Sequence, residues 1–314
     1  MQDKANNKIY DISDIVSDIN YDSQINSVGK LTFSYLKQDR MFIPGSIIRF
    51  KYGEAKIFYG YLFETTNTEG EMLTVVAYDQ MRYLKYKDSV MIKDFTAGKL
   101  VKFICDKQKL KWGIVEDTQF KLVDKLFRGK TYLDMIQECI DDTLIATGNK
   151  YVIYDDFGNL SLRETKKLKL PLIVGDESLA YGYSYTRSID GETYNRIKLA
   201  QKQQDKEGNT FINQTYAVDD TETQAKWGVL QYYEEIDDNM NKTRIMQRAK
   251  DLLRLYNHEQ RKLSFPCLGD TRVRAGNSIR VVLSNLGIDQ YFVVKSVSHS
   301  FKSIHTMDLE LIMI

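Results

Sequence analysis

The side chains in this sequence best suited to holding a metal or moving a proton near neutral pH are His258, His299 and His305. His299 and His305 fall on runs that read as neighbouring strands, so their rings can meet in space. A metal site needs further ligands, and no cysteine or paired carboxylate stands at a suitable offset. Ordinary sheet histidines are the expectation. The acidic run Glu234, Glu235, Asp237 and Asp238 offers the residue types of a glycosidase. That chemistry needs one buried acid of raised pKa and carboxyls about 5–9.5 Å apart across a cleft. Adjacent acids on one polar run point different ways and stay solvated. Cys139 has no evident His partner, and a buried thiol without a cationic neighbour is inert. Gly-rich phosphate loops, a Gly-x-Ser-x-Gly elbow and His-Glu-x-x-His are all missing from the sequence. The reading is of a non-enzyme: no catalytic, cofactor-binding or metal-binding residue is assigned, and no cofactor.

Composition points the same way. A chain of 314 residues is long enough for two or three cores. Its 44 basic and 43 acidic residues leave a net charge of +1, which gives no support to a polyanion binder. Tyrosine, at 21 residues, suits strands with one buried and one solvated face. Three prolines argue against long disordered linkers. The cysteines, Cys105, Cys139 and Cys267, are odd in number and far apart, so buried free thiols in a reducing cytosol are expected. No run reaches the ~20 apolar residues of a membrane span, and Met1-Gln2-Asp3-Lys4 begins no signal-peptide core.

The elements that must carry these residues are mostly strands, and they repeat. Gly276-Asn277-Ser278-Ile279-Arg280 opens a run to Leu283, then come a turn at Asn285–Gly287 and runs at 290–298 and 306–311. Upstream, Gly45-Ser46-Ile47-Ile48-Arg49 opens the same plan, with a turn at Gly53-Glu54 and runs at 57–64 and 72–78. In the last run Leu73, Val75 and Ala77 correspond to Met307, Leu309 and Leu311, and Gly60 stands opposite Val293. Lys8–Ile12 and Lys30–Tyr35 alternate at period two, giving residues 1–82 five or six strands, enough to close a small barrel without a long open edge. Between 83 and 175 the period changes. Helices capped by Thr96 and Thr131 are expected, the second ending at Gly148, followed by a hairpin over 151–154 and 160–163. Residues 176–314 return to strands, with 184–188 and 194–199 opening a second barrel and Asp205–Asn209 as a hairpin loop. A helix near 243–260 interrupts them, capped by Thr243, with Ile245, Met246, Ala249, Leu252, Leu253 and Tyr256 as its apolar face. Its basic residues read as a solvated face, the alternative being an acidic surface on another subunit.

Four ordered stretches carry a resemblance that spans nearly the whole chain. They are Pro44-Gly45 to Tyr61, Ala77-Tyr78-Asp79-Gln80-Met81-Arg82-Tyr83-Leu84, Lys150 to Glu164, and Gly269-Asp270 through Val273-Arg274-Ala275-Gly276 to Met307. Together they resemble the XkdQ-like baseplate hub proteins of contractile phage tails and phage-tail-like bacteriocins, and more distantly the late control protein D family. The resemblance implies a mainly β fold with α+β insertions: two tail-tube-like β-barrels flanking small α/β middle domains. It implies a structural homotrimer whose six barrels form a ring, meeting the hexameric tail tube on one side and the trimeric spike on the other. Other baseplate proteins would bind the middle region. The chain would be made in the bacterial cytoplasm and become part of the virion or tail-like particle. It would not hold nucleic acid stably or insert in a membrane; DNA that passes would cross a neutral or acidic channel. The competing reading is a peptidoglycan-binding or hydrolysing tail module using a LysM-like middle domain. A third is a carbohydrate-binding β-protein using exposed tyrosines.

Overall fold

The computed structural model describes residues 1–3, 8–38, 42–176, 178–236 and 240–313. The fold is mainly β, and it divides into two compact units. The first holds Met1–Asp141, Asn149–Tyr185 and Lys262–Ile314; the second holds Asp142–Gly148 and Thr186–Arg261.

The first unit begins with β1 (Val16–Gln24), β2 (Lys30–Leu36), β3 (Ile47–Tyr52), β4 (Ala55–Asn67) and β5 (Met72–Tyr78). They hydrogen-bond in the order β1-β2-β5-β4-β3. Alternation decides which face is buried: Leu31, Phe33 and Tyr35 of β2 and Leu73, Val75 and Ala77 of β5 enter one core with Ile48, Phe58 and Leu62. Lys8–Ile12 does not form the expected strand. It makes one isolated bridge, Ile9 to Gln2, with Tyr10 N–H donating to the Met1 carbonyl and the Lys8 carbonyl accepting from Asp3 N–H, while Gln2 takes the position beside β3 by pairing with Ile47.

The middle of the chain follows as β6 (Lys87–Ile92), α1 (Ala97–Gln108), β7 (Trp112–Val115), β8 (Lys125–Thr131), α2 (Tyr132–Thr147), β9 (Tyr151–Asp155), β10 (Leu160–Glu164) and β11 (Lys169–Gly175). Thr96 caps α1 by accepting from Lys99 N–H at 3.3 Å, and Thr131 accepts from Asp134 N–H at 3.1 Å at the head of α2. Gly148 closes α2 in the left-handed region, at φ +72°. Leu100, Val101 and Ile104 of α1 pack with Met135, Ile136 and Cys139 of α2 over β9 and β10. Cys105, Cys139 and Cys267 are all buried, and none is in a disulfide. Burial pushes the Cys105 and Cys267 thiols up to about 12, which keeps them protonated.

After β12 (Ser184–Ser188) the chain builds the second unit: β13 (Arg196–Gln204), β14 (Thr210–Asp219), α3 (Thr221–Trp227), β15 (Gln231–Ile236) and α4 (Lys242–Tyr256). A three-stranded sheet, β14-β13-β15, packs on α4 through Ile197, Leu199, Ile245, Ala249 and Leu252. Tyr194–Leu199 therefore does not open the second barrel. Period-two alternation shows that a strand has one dry face but not which core dries it. Asn241, not Thr243, caps α4, accepting from Arg244 N–H at 3.0 Å.

The first unit is completed by β16 (Gln260–Leu268), β17 (Ser278–Leu283), β18 (Ile288–Phe301) and β19 (His305–Ile312). Their order, β12-β16-β19-β18 with β17 on β18, repeats β1-β2-β5-β4-β3 strand for strand. The register repeats as well. Leu263, Phe265 and Cys267 face Leu311, Leu309 and Met307 as Leu31, Phe33 and Tyr35 face Ala77, Val75 and Leu73. A one-residue irregularity lies between Leu62 and Glu64 of β4 and between Val294 and Ser296 of β18, the same place in each copy. Ile48 pairs with Gly60 and Ile279 with Phe292, so the residue equivalent to Gly60 is Phe292 and not Val293. The two copies are joined in one sheet by antiparallel pairing of β1 with β18, from Ile19↔Phe301 to Gln24↔Ser296. The first five strands do leave an open edge: β3 runs out opposite Tyr61, and β4 continues beyond it to Asn67.

Candidate functional site

The joint between the two copies holds the buried polar side chains Asp79, Gln80 and His299. On the β18 side His299 is 2% exposed. Its Nε2 lies 2.9 Å from the Val273 carbonyl, which can only accept, so that nitrogen carries the hydrogen. Its Nδ1 is then the acceptor from His305 Nε2–H at 3.0 Å. Tyr21 of β1 stacks on the His299 ring at 6.2 Å, and Phe301 meets Phe50 and Tyr52 of β3 at 4.9 and 5.1 Å. The two histidines do meet, as a hydrogen-bonded neutral pair. Among the described residues there is no group of three or more His, Cys, Asp or Glu side chains fit to hold a metal.

Behind this ring stack sits an acid pair. Asp79, at the end of β5, accepts from Gly29 N–H at 2.8 Å and from Met81 N–H at 3.0 Å. A Cβ at position 29 would lie 2.5 Å from the Asp79 carboxylate, so a larger residue there would displace that side chain from the Gly29 N–H. Asp155, at the end of β9, accepts from Gly158 N–H at 2.6 Å and from Gln80 N–H at 3.3 Å. Burial and then the charge of Asp155 raise the Asp79 pKa well above the usual range. Burial pushes Asp155 up to about 6 against these hydrogen bonds. Arg274 lays its guanidinium 3.3 Å from the centre of the Tyr154 ring, and its buried Nη1 has no hydrogen-bond partner among the described residues. Between Tyr21, Ser23, Asp79, Asp155 and Arg274 lies a cavity of about 10 Å³, room for about one water. Raised carboxyls invite an acid–base reading, but a space this small admits no sugar ring. The arrangement is suited to fastening β1, β5, β9 and the loop before β17 to one another.

Two titrations test this geometry. The free-chain value of His299, 6.5, falls to about 4 through burial. The unfolded chain therefore takes up the proton first, and His299's share of stability, present above pH 6.5, is lost as pH falls toward 4. The loss is about 3 kcal/mol. Urea unfolding of wild type and His299→Gln at pH 7 and pH 4.5 should show the wild type losing more. Equal losses would remove His299 as the cause. Asp155 has the opposite sign. Its folded value lies above 3.8, so the stability of its protonated form is present at low pH and lost as pH rises through about 6. Carboxyl-carbon NMR of labelled protein should give Asp155 a midpoint near 6; a midpoint near 4 contradicts its burial.

The other acids fare differently. Glu234 is bound by Arg248 at 2.9 Å and Glu235 by Lys202 at 3.3 Å, while Asp237 and Asp238 lie outside the described residues. Sequence reasoning missed Asp79, Asp155 and Arg274 as a group. They come from three distant segments, and only the folded sheet brings them together.

The comparisons agree with this architecture. The chain is 27% identical over 272 residues to the uncharacterised protein YqbQ of Bacillus subtilis (strain 168), covering 85% of this chain and 81% of that protein. It is 26% identical over 274 residues to the phage-like element PBSX protein XkdQ of the same organism, with the same coverage. Its fold is shared with the 43 kDa tail protein of prophage MuSo2 from Shewanella oneidensis, at a TM-score of 0.68 and 12% identity, covering 95% of this chain and 97% of that one. The YQBQ-like family model matches residues 19–312, and the chain belongs to that family.

Proposed function

We infer that this chain is a structural protein of a phage-tail baseplate, and that within it the chain is the hub joining the tail tube to the spike. The family and the tail-protein fold support the first part. The observation that carries the second is the duplicated five-strand plan, matched to the residue and fused into one sheet through β1 and β18. A chain with two equivalent faces can present six similar surfaces from three copies, which matches a sixfold tube to a threefold spike. The working division is a tube-like part at 1–82, a middle part at 83–175 for other baseplate partners, and a part at 176–314 in which the separate unit Thr186–Arg261 precedes the tube-like strands β16–β19. The hub reading makes the protein a homotrimer and a component of the virion or tail-like particle, without catalysis. Among the described residues, no helix is long and apolar enough to cross a membrane.

The test is assembly. Purified chain, mixed with its tube protein and seen in negative stain, should give three-copy rings with an axial channel. A chain that stays monomeric by light scattering at high concentration, with and without the tube protein, would sink the hub reading. A pull-down on purified peptidoglycan and a zymogram address the cell-wall alternative, which binding or clearing at low protein concentration would favour.

A further inference from the structure

We propose that the open edge of β4, from Glu64 to Asn67, pairs antiparallel with β12, Ser184–Ser188, of a second copy of this chain. The argument is continuity. Inside one chain β18 binds β19 on one side and β1 on the other over 296–301. Its equivalent in the first copy, β4, binds β5 over 64–67 and, among the described residues, has no strand on the other side. Likewise β1 lies between β2 and β18, while its equivalent, β12, is bonded to β16 and ends the sheet. The chain thus satisfies one instance of a strand junction internally and leaves its two complementary halves open, one at each end.

The internal junction also gives the register. Val16 faces Tyr35 as Ala180 faces Cys267, and Tyr35 and Cys267 are equivalent; if β12 repeats the one-residue irregularity that β1 carries between Ser17 and Asn20, Tyr185 takes the place of Tyr21 and Thr186 that of Asp22. Both tyrosines pack on the core of their own copy. Thr66 faces Thr74 as Ser298 faces Asp308, which places Thr66 where Ser298 stands. In the internal junction Asp22 pairs with Ser298, and the serine hydroxyl donates to the aspartate at 2.5 Å. Between copies the corresponding pair is Thr186 with Thr66, two exposed threonines of the kind that pair favourably across strands. Neither edge carries a proline or lysine; their charged residues are Glu64 and Arg187, and Arg187 is held by Glu259 at 2.7 Å. Because the two edges differ, the contact is head-to-tail and closes only as a ring. The ring count of three rests on the hub reading; the pairing rests on the repeat alone.

Single variants Thr66→Cys and Thr186→Cys provide the test, since the native cysteines are buried. Both positions are exposed, so folding should be undisturbed. Mixed and oxidised at a concentration where light scattering shows an oligomer, they should give about tenfold more disulfide-linked dimer than either variant alone. An oligomer without that mixed dimer, or with equal dimer from one variant alone, overturns the pairing and leaves the hub reading standing. The variant carrying both cysteines should close into a linked trimer. A linked species of another size supports the pairing and sinks the threefold count. A chain that is monomeric throughout and never cross-links overturns both.

Discussion

Replacing Gly60 by alanine should cost this protein at least about 3 kcal/mol and lower its melting temperature by roughly 6–12 °C. A Cβ at this position would stand 2.3 Å from the Tyr78 carbonyl oxygen and 2.5 Å from the Phe58 ring. The ring can rotate away, but the carbonyl belongs to β5, whose Tyr78 pairs with Tyr61 in the β4 ladder. Relief therefore requires the strands to separate beside a core containing Phe58 and Leu62, 2% and 1% exposed. Gly70→Ala is the control: its nearest neighbour is Thr68 Oγ1 at 3.8 Å, and the change should stay within about 0.5 kcal/mol. Calorimetry of the two variants decides the matter. Equal melting temperatures would mean that β4 and β5 yield cheaply, and the shared register of the two copies would lose its rigidity argument.

Arg248→Met should cost about 3–5 kcal/mol in the second unit. Arg248 grips Glu234 with two nitrogens, at 2.9 and 3.3 Å, and Asp142 with a third at 3.0 Å. The three side chains are only 21–24% exposed. Methionine fills the volume but leaves two partly buried carboxylates without their cation. Arg248→Lys keeps the charge and loses the fork, so it should fall between. Adding Glu234→Gln and Asp142→Asn to Arg248→Met should recover most of the loss, since the penalty lies in the orphaned charges. Urea unfolding followed by Trp227 fluorescence, in a Trp112→Phe background, reads this unit. If the triple variant is no more stable than Arg248→Met alone, lost packing rather than charge explains the effect.

The duplication was legible because both copies keep their glycine, their Ile-Arg strand and their alternation, and Leu73, Val75 and Ala77 do match Met307, Leu309 and Leu311 in the ladders. The caps at Thr96 and Thr131 and the stop at Gly148 were legible for a local reason, since each acts within one turn. Position 60 is misaligned by one residue, because the turn between β17 and β18 is two residues longer than that between β3 and β4, while an irregularity between Phe50 and Lys51 in the β3–β4 ladder takes one residue back. The second unit is not legible in the sequence, because Tyr194–Leu199 alternates as any half-buried strand does. From sequence Arg248 reads as part of a solvated face, since its partners stand 14 and 106 residues away. Nothing local marks Asp79 and Asp155 either, 76 positions apart and joined only by burial.

The seam between β1 and β18 also bears on how the molecule is made. The residues that complete β1 leave the ribosome roughly 270 positions after it, the separation of Gln24 from Ser296. At 5–20 residues per second, that is an interval of about 15–50 s. Throughout it β1 is an edge awaiting its own C-terminus, and in a polysome the nearest finished β18 belongs to a neighbour. A chain built this way folds slowly for its size and is prone to exchange strands with its siblings. Weaker translation initiation, which spaces ribosomes farther apart on one message, should therefore improve the yield of correctly paired protein.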